Sequence, residues 1–170
     1  EIPTRELPEL SPITEVVEKH VTGPDAELLL FSYRFGGMKS SDRKYVTLAD
    51  YLLANSTAGL IDINLNQKQK VQYGGCSPLF LNDYGIHYFI GVPKQGQSME
   101  EVRDLLLAQV DSLKEGNFDE WLMEAAINDM RLNSIRQNEG NNRIDEMFDA
   151  FVYQQDRKDI LNFYDEMSQI

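Results

Sequence analysis

The chain has 170 residues, 42% of them hydrophobic and 26% charged, the balance of one ordinary globular domain rather than a disordered segment. Its net charge of −12 argues against wrapping nucleic acid through counterion release and against an anionic membrane surface. Only Cys76 can supply a thiol, which excludes an internal disulfide and a cysteine-built zinc cluster, and no apolar run approaches the roughly 18 residues of a membrane span.

The charge is unevenly placed. From Gln97 onward there are 17 acidic and 7 basic residues, a net of −10, against −2 for residues 1–96. Solvated helix faces account for such a half, and an acidic wall attracting basic peptides is the sharper alternative. The chain opens on Glu1 with no initiator Met and no signal peptide, and so reads as a piece of something longer.

Residues 1–12 hold three prolines and read as an extended linker, leaving residues 13–170 as a single domain. The stretch 13–21 is expected as an edge strand, followed by a turn at Gly23-Pro24-Asp25 and a strong strand over 26–35. After Gly36-Gly37, Ser41 or Asp42 caps a helix to about Asn55. Its apolar positions Tyr45, Leu48, Ala49, Leu52 and Leu53 form one stripe. A short helix over 60–70 follows, with Ile61 and Leu65 inward. A strand over 71–81 contains Gly74 and Gly75, which suggest a bulge or close backbone approach, and Pro78, which favours an edge.

Asn82-Asp83-Tyr84-Gly85 signals a hairpin into a return strand over 86–92. There Ile86, Tyr88, Ile90 and Val92 share one face, and His87, Phe89 and Gly91 the other. Ser98-x-x-Glu101 is a capping box for a helix ending at Gly116, with Val102, Leu105, Leu106, Val110 and Leu113 as its stripe. Asn117-x-x-Glu120 repeats the signal for a helix over 118–138 with Trp121, Ala125, Asn128, Leu132 and Ile135 on one side. Gly140-Asn141-Asn142 breaks the chain again. Ile144, Met147, Phe148, Phe151 and Val152 make a third stripe. A last helix over 156–168 carries Ile160, Leu161, Tyr164 and Met167. Hairpin pairing with segregated helices predicts an α+β fold, a mostly antiparallel sheet with helices packed on one face.

No self-contained active site stands out. A zinc hydrolase needs about three protein ligands, and neither His-Glu-x-x-His nor His-x-x-Glu-His occurs. His20 and His87 could meet only through the fold, with a carboxylate as third ligand. Otherwise His20 is a surface residue, and His87 a half-buried, hydrogen-bonded strand residue beside Tyr88 and Phe89. Cys76 has no neighbouring His or Lys to activate it and reads as a small packed thiol. No Gly-x-Ser-x-Gly elbow or Gly-rich phosphate loop is present. No catalytic or metal-ligating residue, and no cofactor, is therefore assigned to this chain.

The segment 48–74 (LADYLLANSTAGLIDINLNQKQKVQYG) resembles the pitrilysin/insulinase family of zinc metallopeptidases, which includes the mitochondrial processing peptidases. The hairpin and following helix, CSPLFLNDYGIHYFIGVPKQGQSMEEVRDLLL, and the junction LKEGNFDEWLMEAAINDMR are similar to the family as well. The resemblance covers residues 15–170 and rests on pattern and spacing. It implies a mitochondrial-processing-peptidase-like half-unit, one of several in tandem. Because the inverted zinc motif is missing, it implies a non-catalytic unit in the wall of a closed peptide chamber. Its partners would be the catalytic half-unit of the same polypeptide and a peptide substrate, with zinc held elsewhere in the parent protein. The family's substrate-clamping unit carries an Arg and a Tyr seven positions apart. The matching positions here are Asn66 and Tyr73, so the Tyr is kept and the guanidinium is lost. Family half-units continue into another helix and a final strand, so the resemblance also implies truncation at the C-terminus, with a sheet edge open or filled by a neighbour.

Two other readings stay open: a degenerate structural homologue with no proteolytic role, and a stand-alone enzyme with a carboxylate site. Compartment is undetermined between periplasm and cytoplasm.

Overall fold

The computed structural model describes residues 11–139, 148, 150–153, 155–167, 169 and 170. The early linker up to residue 10, the Gly140-Asn141-Asn142 break, Ile144 and Met147 lie outside these.

Three strands form one antiparallel sheet in the order β1-β3-β2. They are β1 (Leu29–Gly36), β2 (Tyr73–Phe80) and β3 (Tyr84–Val92). Leu81 N–H donates to Tyr84 O at 2.9 Å, which closes the hairpin around Asn82 and Asp83 and sets the register. Cys76 then lies opposite Phe89, and Pro78 opposite His87. Phe31 faces Phe89 from the other side. Pro78 sits on the edge strand β2, where its missing N–H is tolerated.

The expected edge strand over 13–21 does not form. Residues 11–28 have no strand pairing, and Val16 and Val21 are 93% and 91% exposed. The physical reason is local. Glu15 and Lys19 interrupt the face carrying Ile13, Val17 and Val21, and Glu18 and His20 lie on the other, so neither face is apolar enough to bury. The strand expected over 26–35 begins at Leu29.

Helix α1 (Asp42–Leu53) has Ser41 at its N-cap without a side-chain cap. Ser40 Oγ instead accepts from Asp42 N at 3.2 Å. The buried residues are Val46, Leu48, Leu52 and Leu53, while Tyr45 is half exposed, so the expected stripe holds at Leu48, Leu52 and Leu53 and its edge shifts from Tyr45 to Val46. The segment expected as a short helix contains a π-helical turn, Asp62–Gln67, with Ile61 and Leu65 fully buried.

Helix α2 (Met99–Lys114) is capped as expected, Ser98 Oγ accepting from Glu101 N at 3.1 Å, and it ends at Gly116 with φ +70°. It lies close on the sheet. A Cβ on Gly91 would meet Val102 Cγ1 at 2.4 Å, and one on the opposing Gly74 would touch Ile61 and Leu106. Paired glycines thus allow the close approach expected for Gly74.

Helix α3 (Glu120–Glu139) starts after Asp119, so the Asn117 cap is not used; Asn117 Nδ2 donates to Glu115 instead. Leu122, Ala126 and Met130 are buried, whereas Trp121, Ala125, Asn128, Leu132 and Ile135 face outward. The helix is apolar on two sides, and the inward side is the one with smaller residues. Of the third expected stripe, Phe148, Phe151 and Val152 are exposed. Helix α4 (Arg157–Met167) brings Met167 into full burial; the side chains of Ile160, Leu161 and Tyr164 lie outside the described set.

Two clusters make the core. One joins the sheet residue Phe89 to Leu53 of α1, Ile61 and Leu65, and Val102, Leu106 and Val110 of α2. The other joins Leu48 and Leu52 of α1 to Leu122, Ala126 and Met130 of α3 and to Met167 of α4. Helix α1 therefore serves both layers, with the sheet on one side and α3 and α4 on the other. The fold is α+β, with helices on the face that carries His87 and Phe89.

Candidate functional site

Strand β3 alternates burial residue by residue, and His87, Phe89 and Gly91 point to the helices. His87 is 4% exposed. On α1, Asp50 falls one turn after Val46 and one turn before Leu53, so it projects toward the sheet from between two buried apolar residues. Its Oδ1 accepts from His87 Nε2 at 2.9 Å. Cys76, on the same face of the neighbouring strand, lies with its Sγ 4.0 Å from the Asp50 carbonyl oxygen. The carboxylate oxygen, the thiol sulfur and the imidazole nitrogen all lie within 4.8 Å of one another. This trio comes from α1, β2 and β3.

Burial, above all, holds the Cys76 thiol far above its ordinary value. The Asp50 carboxylate, a hydrogen bond to it and the charge of Asp62 add to the effect. The thiol is protonated at neutral pH and is no ready nucleophile, so the trio does not read as a cysteine hydrolase. The sign of its pH effect follows. Above the ordinary thiol value of 9.0 the unfolded chain loses this proton while the folded chain keeps it, so stability falls. Between pH 8 and pH 10, the metal-free chain is expected to lose about 1 kcal/mol more stability than Cys76→Ser, at a limiting slope of about 1.4 kcal/mol per pH unit. Denaturant unfolding of both proteins at the two pH values measures it, and equal losses would refute the assignment.

Asn66 and Tyr73 have different surroundings. Asn66 Oδ1 accepts from Gly74 N and its Nδ2 donates to Gly74 O, both at 2.8 Å, so the side-chain amide engages β2 along its outer edge. Tyr73 is 53% exposed. Its hydroxyl lies over Gly75, on the sheet face away from the helices. That face also carries Leu30, Ile86, Tyr88, Ile90 and Val92, and no described helix covers it.

A cleft of about 460 Å³ opens between the π-helical turn and the junction of α2 and α3, lined by residues including Ile63, Asn64, Phe118, Asp119 and Trp121. No histidine or cysteine lines it. His20 is exposed and pairs with Glu18 at 3.2 Å. Among the described residues the potential metal-binding trio does not include it.

No protein-family model matches the chain, and no curated protein does. Solved structures do. A protease from Helicobacter pylori matches with a TM-score of 0.76 and 15% identity, over 84% of this chain and 35% of that one. The inactive peptidase domain of a protein described as a zinc protease, from Bordetella parapertussis, matches with a TM-score of 0.70 and 14% identity, over 88% and 81%. A chain of Complex III2 from Candida albicans matches with a TM-score of 0.67 and 10% identity, over 84% and 36%. The chain shares its fold with these solved protease and peptidase domains. The chain spans about a third of the length of the Helicobacter pylori protease.

Proposed function

We propose that this chain is a non-catalytic half-unit of a larger zinc-dependent metalloendopeptidase, forming part of a peptide-enclosing chamber and packing against the zinc-bearing unit. The observation that carries this reading is the match, over most of both chains, to a domain described as an inactive peptidase domain. The sequence agrees with it, having no His-x-x-Glu-His. The sheet face without described helices supports it physically. An antiparallel sheet facing water usually alternates to polar residues on that side, and here apolar and aromatic residues outnumber Ser32, Arg34 and Ser77 on that face, with Leu30 61% and Leu79 47% exposed. Tyr73 on this face is the residue to contact peptide, with zinc supplied by the parent protein.

The experiment is reconstitution. The purified chain alone is expected to cleave no peptide, and adding a separately expressed half-unit that carries the inverted zinc motif restores cleavage that needs both parts. Metal-dependent turnover by this chain alone would overturn the proposal. A second reading, a structural homologue with no proteolytic role, draws on the likeness to the Complex III2 chain. It predicts that the parent sequence lacks the motif and that the mixture stays inactive.

A further inference from the structure

We propose that Asp50, Cys76 and His87 form a zinc-binding site that clamps α1 to strands β2 and β3. The site is separate from the zinc centre of the half-unit reading and goes beyond that reading. It rests on a carboxylate, a thiol and an imidazole converging from three elements, with ligand atoms within 4.8 Å of one another. In a tetrahedral zinc site, with bonds of about 2.0–2.3 Å, ligand atoms sit roughly 3.3–3.7 Å apart. The observed spread therefore needs a closure of about an ångström, within reach of side-chain rotation.

The donor types select the metal. Thiolate and imidazole suit borderline-soft Zn²⁺, whereas Mg²⁺ and Ca²⁺ take oxygen ligands. The electrostatics point the same way. Asp50 and Asp62 both act on the Cys76 thiol. Asp62 is 8% exposed. Among the described residues, the ion-pairing partner of Asp50 is His87, and Asp62 has no Lys or Arg within ion-pair distance. A dication would neutralise this buried negative potential. Binding replaces the His87–Asp50 hydrogen bond by two metal bonds, shifts the neutral imidazole's proton from Nε2 to Nδ1, and releases the Cys76 proton to solvent. Three protein ligands leave the fourth position to water. Asp62 stays in its own bonds, accepting from Asn55 N at 2.9 Å.

The test uses the purified 170-residue chain stripped of metal, with zinc and cobalt(II) as probes and no peptide, so its outcome is independent of the proteolysis assay. One equivalent of Zn²⁺ is expected in competition with a chromophoric chelator. Co²⁺ in its place should give the near-ultraviolet thiolate-to-metal charge-transfer band. Cys76→Ser should abolish the band, and His87→Gln should weaken zinc affinity at least tenfold, both with far-ultraviolet circular dichroism unchanged. If His87→Gln fails to fold, the cobalt spectra of wild type and Cys76→Ser decide alone. No zinc uptake, uptake without the thiolate band, or undiminished uptake by Cys76→Ser would overturn the proposal.

Discussion

Phe89→Ala is expected to destabilise the chain by about 3–5 kcal/mol, the range for a large aromatic removed from a packed core. Phe89 is 1% exposed and sits on the central strand, where both neighbouring strands depend on it. Its ring stacks on Phe31 with centroids 4.8 Å apart and planes within 1°. It meets Tyr33 edge-on at 6.1 Å and the His87 imidazole at 4.6 Å. Aromatic pairs of this kind add about 0.5–1.5 kcal/mol beyond area burial. Truncation leaves a cavity under α1 and α2 bounded by Leu53, Ile61, Leu106 and other buried side chains that are already close-packed, so collapse into it is limited. Phe89→Leu fills most of that space and should lose clearly less. Urea unfolding of the three proteins measures the differences; a loss under about 1 kcal/mol for Phe89→Ala would mean that the sheet–helix core lies elsewhere.

The hairpin and α2 were legible because their signals are local. The turn at Asn82-Asp83, the alternation 86–92 and the Ser98 cap each act within a few residues, and each appears in the structure. What was not legible depended on which of two apolar faces the rest of the chain covers. Helix α3 offers Trp121, Leu132 and Ile135 on one side and Leu122, Ala126 and Met130 on another. The larger side looks like the core side by hydrophobicity alone. Packing against α1 and α4 takes the smaller, because Ala126 permits closer approach. The stretch 13–21 failed for the opposite reason, having β-branched residues but no uninterrupted apolar face.

The Asp50–Cys76–His87 trio left a partial trace in the sequence. Once the hairpin register is fixed, Cys76 and His87 fall on one face as diagonal neighbours, a relation that follows from strand alternation. Asp50 is harder to find. It sits in the register of Val46 and Leu53, but an expected stripe through Tyr45 and Ala49 turns it outward. The expected and buried stripes share Leu48, Leu52 and Leu53, and a small shift of the edge from Tyr45 to Val46, too fine for periodicity in a helix of three turns, decides whether this carboxylate meets the imidazole.

Asn66→Ala is expected to cost about 2–4 kcal/mol, from two backbone groups at about 1–3 kcal/mol each, allowing for partial rescue by water. Strand β2 is an edge, so the backbone groups of Gly74 not used toward β3 would be open, yet Gly74 is buried. The Asn66 amide pairs with both of them, doing for one residue what a further strand would do for the whole edge. Asn66→Arg, which restores the residue that the resemblance places there, separates the two roles open to the position. If the position serves mainly to bind substrate, Arg should be neutral or favourable for stability. If it holds the edge of β2, Arg must fail, since a guanidinium donates to Gly74 O but cannot accept from Gly74 N. Asn66→Arg is therefore expected to fall with Asn66→Ala, at least 2 kcal/mol below wild type by denaturant unfolding. A stability within about 0.5 kcal/mol of wild type would return the position to the substrate-clamping role. The outcome bears on Tyr73 as well, because a position fixed to Gly74 cannot swing to meet a peptide beside it, and the exposed tyrosine would then have to make that contact without an Arg partner.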